Sequence, residues 1–211
     1  MQTLNMNVKV CEPTIGSDEA FMIMKALAEN KISSTAGYVE EFEQEFAKKI
    51  GTTHAIAVNS GGSALFLTLW AMGIRKGDEV IMPTFTMVAT ANAVIQCGAK
   101  PVLVDSEPTT GNIDPDQIAE KITKRTKAII VVHLYGHPCD MDKIKEAAGK
   151  IPIIEDAAEA HGAEYKDQII GSIGEAGCFS FYANKIITTG EGGAITTDND
   201  GLASELRAFR S

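Results

Sequence analysis

The sequence has no cysteines paired at CxxC spacing. Its four cysteines, Cys11, Cys97, Cys139 and Cys178, are scattered along 211 residues. They read as reduced, mostly buried thiols of a cytoplasmic protein. Long hydrophobic runs are missing too: none reaches the length of a membrane span, and no basic start precedes an apolar block at the N-terminus. Basic clusters are also absent. With 19 basic against 28 acidic residues the formal net charge is −9. Neither nucleic acid nor an anionic membrane surface is therefore expected as the principal partner. An anionic ligand would have to be held by local backbone donors and a few side chains.

What is present reads as an ordinary globular chain, 45% hydrophobic and 22% charged, long enough for one or two domains. Residues 1–16 read as an irregular arm. Ser17 is the expected N-cap of a helix through about Glu29, with Asp18 and Glu19 in its first turn. Residues 38–50 form an amphipathic helix with Val39, Phe42, Phe46 and Ile50 on one face. From His54 the pattern changes. Short apolar runs at 54–58, 79–82, 101–104, 128–132 and 151–154 alternate with helical stretches near 62–72, 87–97, 115–123 and 140–149. Continuous apolar strands, each followed by a helix, predict an α/β fold with a mostly parallel sheet sandwiched by helices. Residues 162–177 read as a loop or short hairpin. At the far end, 200–211 begins a helix with Leu202, Leu206 and Phe209 at helical spacing. It stops without a cap, as a truncated chain would.

In such sheets ligands sit at the carboxyl ends of the strands. After the first strand comes Asn59-Ser60-Gly61-Gly62-Ser63-Ala64. Its glycines and following helix N-terminus suit a phosphate, or equally a tight turn capped by Ser60. It is neither a GxGxxG nor a Walker loop. After the second strand, Phe85 or Met87 has the reach to lie against a flat ring, although spacing alone favours core. His133 and His137 stand four apart, but Gly136 and Pro138 break a helix there and no further ligand completes a metal set. Asp156 ends the fifth strand. A buried carboxylate is costly without a cationic partner, and a protonated pyridine nitrogen would be one. Ala157 and Ala158 leave room for a ring; an ordinary helix-start aspartate is the alternative. The run 178–193 opens as a strand and carries Lys185 into a Thr/Gly-rich turn. Apolar Ile186 and Ile187 flank that lysine, and desolvation favours the neutral amine that a Schiff base requires.

Glycines that suit a phosphate, a strand-end aspartate and a turn lysine, in that order, match the parts of a pyridoxal 5′-phosphate enzyme. Together with 38–43, 59–65, 83–94, 155–162 and 180–193, they give a chain that resembles the DegT/DnrJ/EryC1/StrS sugar aminotransferases over essentially its whole length. The resemblance implies a fold type I large domain spanning 17–211, with a smaller C-terminal domain absent from this sequence. It implies that Lys185 holds pyridoxal phosphate as a Schiff base and shuttles the proton. Asp156 would pair with the ring nitrogen, and Ala158 would lie on one ring face. Glu159 stands where many relatives have Gln near the ring 3-oxygen. Gly62, Ser63 and Ser180 would give donors to the phosphate. Met87 occupies a position where relatives often stack an aromatic ring.

The implied reaction moves an amino group from glutamate to a nucleotide-linked 4-keto-6-deoxy sugar, as in perosamine-type sugar biosynthesis, by ping-pong half-reactions. The implied assembly is a homodimer with sites at the subunit interface. Relatives that remove a sugar 3-hydroxyl carry His in place of the lysine, so Lys185 favours transamination. A sugar dehydratase and a non-catalytic cofactor-binding module remain the alternatives.

Overall fold

The computed structural model describes residues 11–210; residues 1–10 of the expected arm, and Ser211, lie outside the described residues. Residues 11–16 are exposed and take no regular structure. Seven strands form the main sheet: β1 (His54–Val58), β2 (Glu79–Pro83), β3 (Lys100–Val104), β4 (Thr126–Val132), β5 (Ile153–Asp156), β8 (Ala176–Ser180) and β9 (Gly193–Thr197). Their order is β1-β9-β8-β5-β4-β2-β3, and a separate hairpin pairs β6 (Glu164–Tyr165) with β7 (Gln168–Ile169). Only β9 runs against its neighbours; the pairs β8-β5, β5-β4, β4-β2 and β2-β3 are parallel. The expected mostly parallel α/β sheet is what the chain forms, and the 162–177 segment supplies the hairpin.

The helices are α1 (Ser17–Ala28), α2 (Tyr38–Ile50), α3 (Gly61–Ala71), α4 (Val88–Gln96), α5 (Ile118–Lys121), α6 (Met141–Ala148) and α7 (Asp200–Arg210). Strand alternation explains why the sheet needs cover on both faces. In β4, Ala128, Ile130 and Val132 join a core with Leu65 and Leu69 of α3, Val94 of α4 and Leu206 of α7. Ile129 and Val131 point the other way, into a core with Ile50 of α2, Ile118 of α5 and Ile144 of α6. Each such isoleucine or valine contributes about 1.5–3 kcal/mol on burial. The α2 stripe is fixed by aromatic packing: Phe42 and Phe46 stack at 5.4 Å, and Phe46 meets Phe179 edge-on at 5.0 Å.

Three boundaries differ from expectation for physical reasons. Gly16, not Ser17, caps α1, because its N–H donates to the Glu19 carboxylate at 2.7 Å. The 115–123 stretch splits into a 3₁₀ turn, Pro115–Gln117, and the short α5. The fifth strand begins two residues late: Ile151 N–H is still tied to Ala148 of α6, and Pro152 has no N–H to pair. Asp156 is therefore the last residue of β5, and the turns after it are not a helix. That removes the helix-start reading. Three of the cysteines are buried and all four are free; burial pushes Cys97 up to about 11 and Cys139 up to about 12. Among the described residues no helix is long and apolar enough to cross a membrane.

Candidate active site

A cavity of about 360 Å³ opens at the carboxyl edge of the parallel strands. Register brings its walls together: Val58, Gly193 and Ser180 sit side by side on β1, β9 and β8, while Val132, Asp156 and Cys178 align on β4, β5 and β8. The turn from β1 into α3 seats the first wall. Ser60 caps α3, its Oγ accepting the Ser63 N–H at 3.1 Å. A Cβ on Gly61 would stand 2.7 Å from the Ser180 Cβ, and one on Gly193 only 2.4 Å from the Ser60 carbonyl oxygen. Both glycines are needed for this close packing. At Gly62 an added Cβ would meet nothing nearer than 3.9 Å. The space above the α3 N-terminus is open, and its first-turn N–H groups lack helical acceptors.

Adjacent carboxylates on β5 meet opposite environments. Glu155 faces the α2/α6 side, completely buried. It accepts the Ile173 and Gly174 N–H groups at Oε1, both at 2.7 Å, and the Gly171 N–H at 3.0 Å at Oε2. His133 Nε2 adds a fourth contact at 3.2 Å, and that ring is oriented by the Cys139 N–H donating to Nδ1 at 3.1 Å. Burial works to raise the Glu155 carboxyl, yet His133 and the surrounding N–H groups hold it below the ordinary value. Asp156 faces the α3/α4 side and the cavity. It has two donors: Thr90 Oγ1 at 2.9 Å on Oδ2 and the Ala158 N–H at 3.2 Å on Oδ1. Here burial wins and the carboxyl is raised, despite Thr90, Ala158 and the nearby Lys185 charge. Among the described residues Asp156 has these two donors and no ion pair.

Lys185 enters the same cavity from the turn after β8. Its Nζ donates to Glu159 Oε1 at 3.1 Å, and Glu159 Oε2 accepts the Tyr135 N–H at 3.0 Å. Tyr135 aims that N–H from a left-handed conformation, φ 49°, which is uncommon for a residue with a side chain. The Lys185 side chain is only 13% exposed. The flanking isoleucines do not cause this, because Ile186 and Ile187 are 63% and 54% exposed. The cavity walls shield Lys185, which corrects the expectation from its neighbours in sequence. Burial, with a smaller effect from the Lys185 charge, pushes His161 down to about 4, so it adds no second positive charge beside the amine.

Gly62, Met87, Asp156, Ala158, Glu159, Ser180 and Lys185 all line this cavity. Ser63 does not. Its N–H donates to Ser60 Oγ and its hydroxyl accepts from it, and Ser60 is the serine of this turn that lines the cavity. Phe85 and Met87 are more than half exposed and line the cavity, so neither is core. His133 belongs to the Glu155 network, and among the described residues no His, Cys, Asp or Glu cluster is placed to hold a metal ion. Sequence reasoning missed Thr86, Thr90 and Tyr135. The threonines stand one helical turn apart and were findable; the Tyr135 contribution is a backbone N–H, invisible in a side-chain pattern.

The profile of the DegT/DnrJ/EryC1/StrS aminotransferase family matches residues 13–211. GDP-perosamine synthase of Caulobacter vibrioides is 50% identical over 205 residues, 96% of this chain and 55% of that protein. The chain thus spans about half the length of the curated relatives it matches. Among solved structures, the aminotransferase from Psychrobacter cryohalolentis superimposes with a TM-score of 0.91 at 41% identity, covering 94% of this chain and 51% of that one. A GDP-4-keto-6-deoxymannose-3-dehydratase does so with a TM-score of 0.87 at 31% identity, covering 93% and 53%. On this evidence the chain belongs to the DegT/DnrJ/EryC1/StrS aminotransferase family.

Proposed function

We propose that this chain is the cofactor-holding part of a pyridoxal phosphate-dependent sugar aminotransferase. It would move an amino group from glutamate to a nucleotide-linked 4-keto-6-deoxy sugar of the perosamine type. The observation that carries this reading is the meeting of Lys185, Asp156 and the open α3 N-terminus in one cavity. The donor set fits the cofactor. An anion suits the open N-terminus, a ring nitrogen cation suits a carboxylate with two donors, and a carbonyl suits the amine. The ring would have Ala158 on one face and the exposed Met87 thioether within reach.

When bound, pyridoxal phosphate supplies an electron sink for the charge left when a C–H bond beside an amine is broken. Among the residues lining the cavity, Lys185 carries the one amine. Its Nζ would therefore both hold the cofactor and carry the proton. Asp156 would keep the proton on the ring nitrogen. Glu159, anchored by the Tyr135 N–H, orients Nζ and would offer its carboxylate to the next donor once Nζ is engaged. Ser60, Gly62 and Ser180 would cradle the phosphate.

No guanidinium lines the cavity among the described residues, so the anionic groups of glutamate and of a nucleotide sugar require cations from outside it. The cavity is also lined by exposed apolar side chains, with Phe85, Met87 and Tyr182 each 48–64% exposed. A second copy covering this rim accounts for both features, and sedimentation of the cofactor-loaded protein as a dimer is the check. The dehydratase reading shares the fold; Lys185 in place of His favours amination.

The test is borohydride reduction with added pyridoxal phosphate, followed by peptide mass mapping. A single phosphopyridoxyl adduct on Lys185 is expected, and none in Lys185→Ala. An adduct elsewhere would refute the assignment. The product mass from a 4-keto-6-deoxy nucleotide sugar then separates amination from loss of water.

A further inference from the structure

We propose that Thr90 is a positioning residue for Asp156, and that Thr86 locks the Thr90 hydroxyl and so meets cavity ligands only as a hydrogen-bond acceptor. Thr90 is a fully buried hydroxyl on the apolar helix α4, a placement that is costly unless every polar atom is used. Its Oγ1 lies 2.9 Å from Asp156 Oδ2 and 2.9 Å from Thr86 Oγ1.

A hydroxyl has one hydrogen, and an ionised carboxylate can only accept. The Thr90 hydrogen is therefore committed to Asp156, and the contact between the threonines must run from Thr86 to Thr90. Thr86 lines the cavity, and with its hydrogen turned inward it presents lone pairs there. The direction of this relay follows the charge on Asp156: a protonated Asp156 could donate instead, and the two threonine hydroxyls could reverse.

Geometry says why the relay matters. Thr90 on Oδ2 and the Ala158 N–H on Oδ1 fix the carboxylate plane from both sides while leaving each oxygen a lone pair. The charged or titratable groups around Asp156 are Lys185 from the turn after β8, His133 after β4 and Cys178 on β8. Glu155 precedes it on β5 and faces away. None of these is a hydrogen-bond donor to it, so among the described residues Thr90 is the one side chain that donates to it.

The relay is set by the charge on Asp156 and can be read without any ligand, whereas the cofactor readout below rests on the function proposed above. The full chain, prepared without cofactor and labelled with ¹³C at aspartate carboxyls, is titrated by NMR. The Asp156 signal is assigned by its loss in Asp156→Asn. Thr90→Val should move the Asp156 midpoint up by about one pH unit, Thr90→Ser should restore it, and Thr86→Val should raise it by less. A lower melting temperature with an unmoved midpoint in Thr90→Val would reduce Thr90 to packing and overturn the proposal. Should Thr90→Val fail to fold, an unmoved midpoint in Thr86→Val overturns it instead. Pyridoxal phosphate affinity should fall about tenfold in Thr90→Val. If the parent chain binds no pyridoxal phosphate, the cofactor reading fails while the titration still decides the relay.

Discussion

Glu155 and Asp156 are consecutive residues of one strand, both buried, and their environments could hardly differ more. Glu155 accepts four donors and is held below the ordinary glutamate value. It ties β5 to the end of β4 and to the 171–174 loop, and no acceptor capacity faces a ligand. Asp156 has half as many donors, is raised by burial, and borders the cavity that Lys185 enters. The difference follows from the two-residue period of a strand. One carboxylate goes to the packed face and is satisfied there, while the next goes to the open face and is left for something cationic.

The largest effect should come from breaking the open side. Asp156→Asn should lower transamination by the intact enzyme about a thousandfold, within the range of a lost proton-holding group, and leave the unfolding free energy unchanged or slightly higher. An equal loss of stability would mean that Asp156 is structural after all. Breaking the packed side should do the reverse. Glu155→Gln, measured by urea unfolding at neutral pH, should cost about 3–5 kcal/mol, the penalty for removing one partner of a buried network.

pH sharpens the contrast. Because the Glu155 carboxyl is depressed in the folded state, its stability contribution is present above the ordinary glutamate value. It is lost as pH falls through the lower folded value. Asp156 has the opposite sign: its ionised form costs stability, and that cost is relieved as pH falls through its raised value. Acid unfolding should therefore steepen below about pH 4 in the parent and in Asp156→Asn, and should be shallower in Glu155→Gln. The smallest effect concerns the turn from β1 into α3. Ser60→Ala removes the α3 cap and should cost about 1 kcal/mol by thermal unfolding, with a weaker hold on the phosphate of the cofactor.

The sequence made the sheet legible because buried parallel strands are apolar on both faces, as β4 is. The amphipathic stripe of α2 was equally clear, with Phe42 and Phe46 one turn apart. A second helix shows what such patterns leave out: α1 carries Phe21, Ile23, Met24 and Leu27, yet none of its residues is buried. Of the site, Asp156 and Lys185 were readable because a strand end and a glycine turn mark them. The shielding of Lys185 was not readable, since its sequence neighbours are exposed and walls distant in sequence cover it. The Ser60 cap and an open helix N-terminus are alternatives in the sequence but coexist in the fold, where Ser60 both caps α3 and lines the cavity. The Tyr135 N–H depends on a left-handed turn between β4 and α6, and no side-chain pattern encodes a backbone direction.

With two donors and a face on the cavity, Asp156 has room for a ring nitrogen cation to complete its partners. Nitrogen-15 NMR of ring-labelled pyridoxal phosphate bound to the protein at mildly alkaline pH tests it most directly. The ring nitrogen should be protonated in the parent and neutral in Asp156→Asn. A neutral ring nitrogen in the parent, with the cofactor mapped to Lys185, would contradict it.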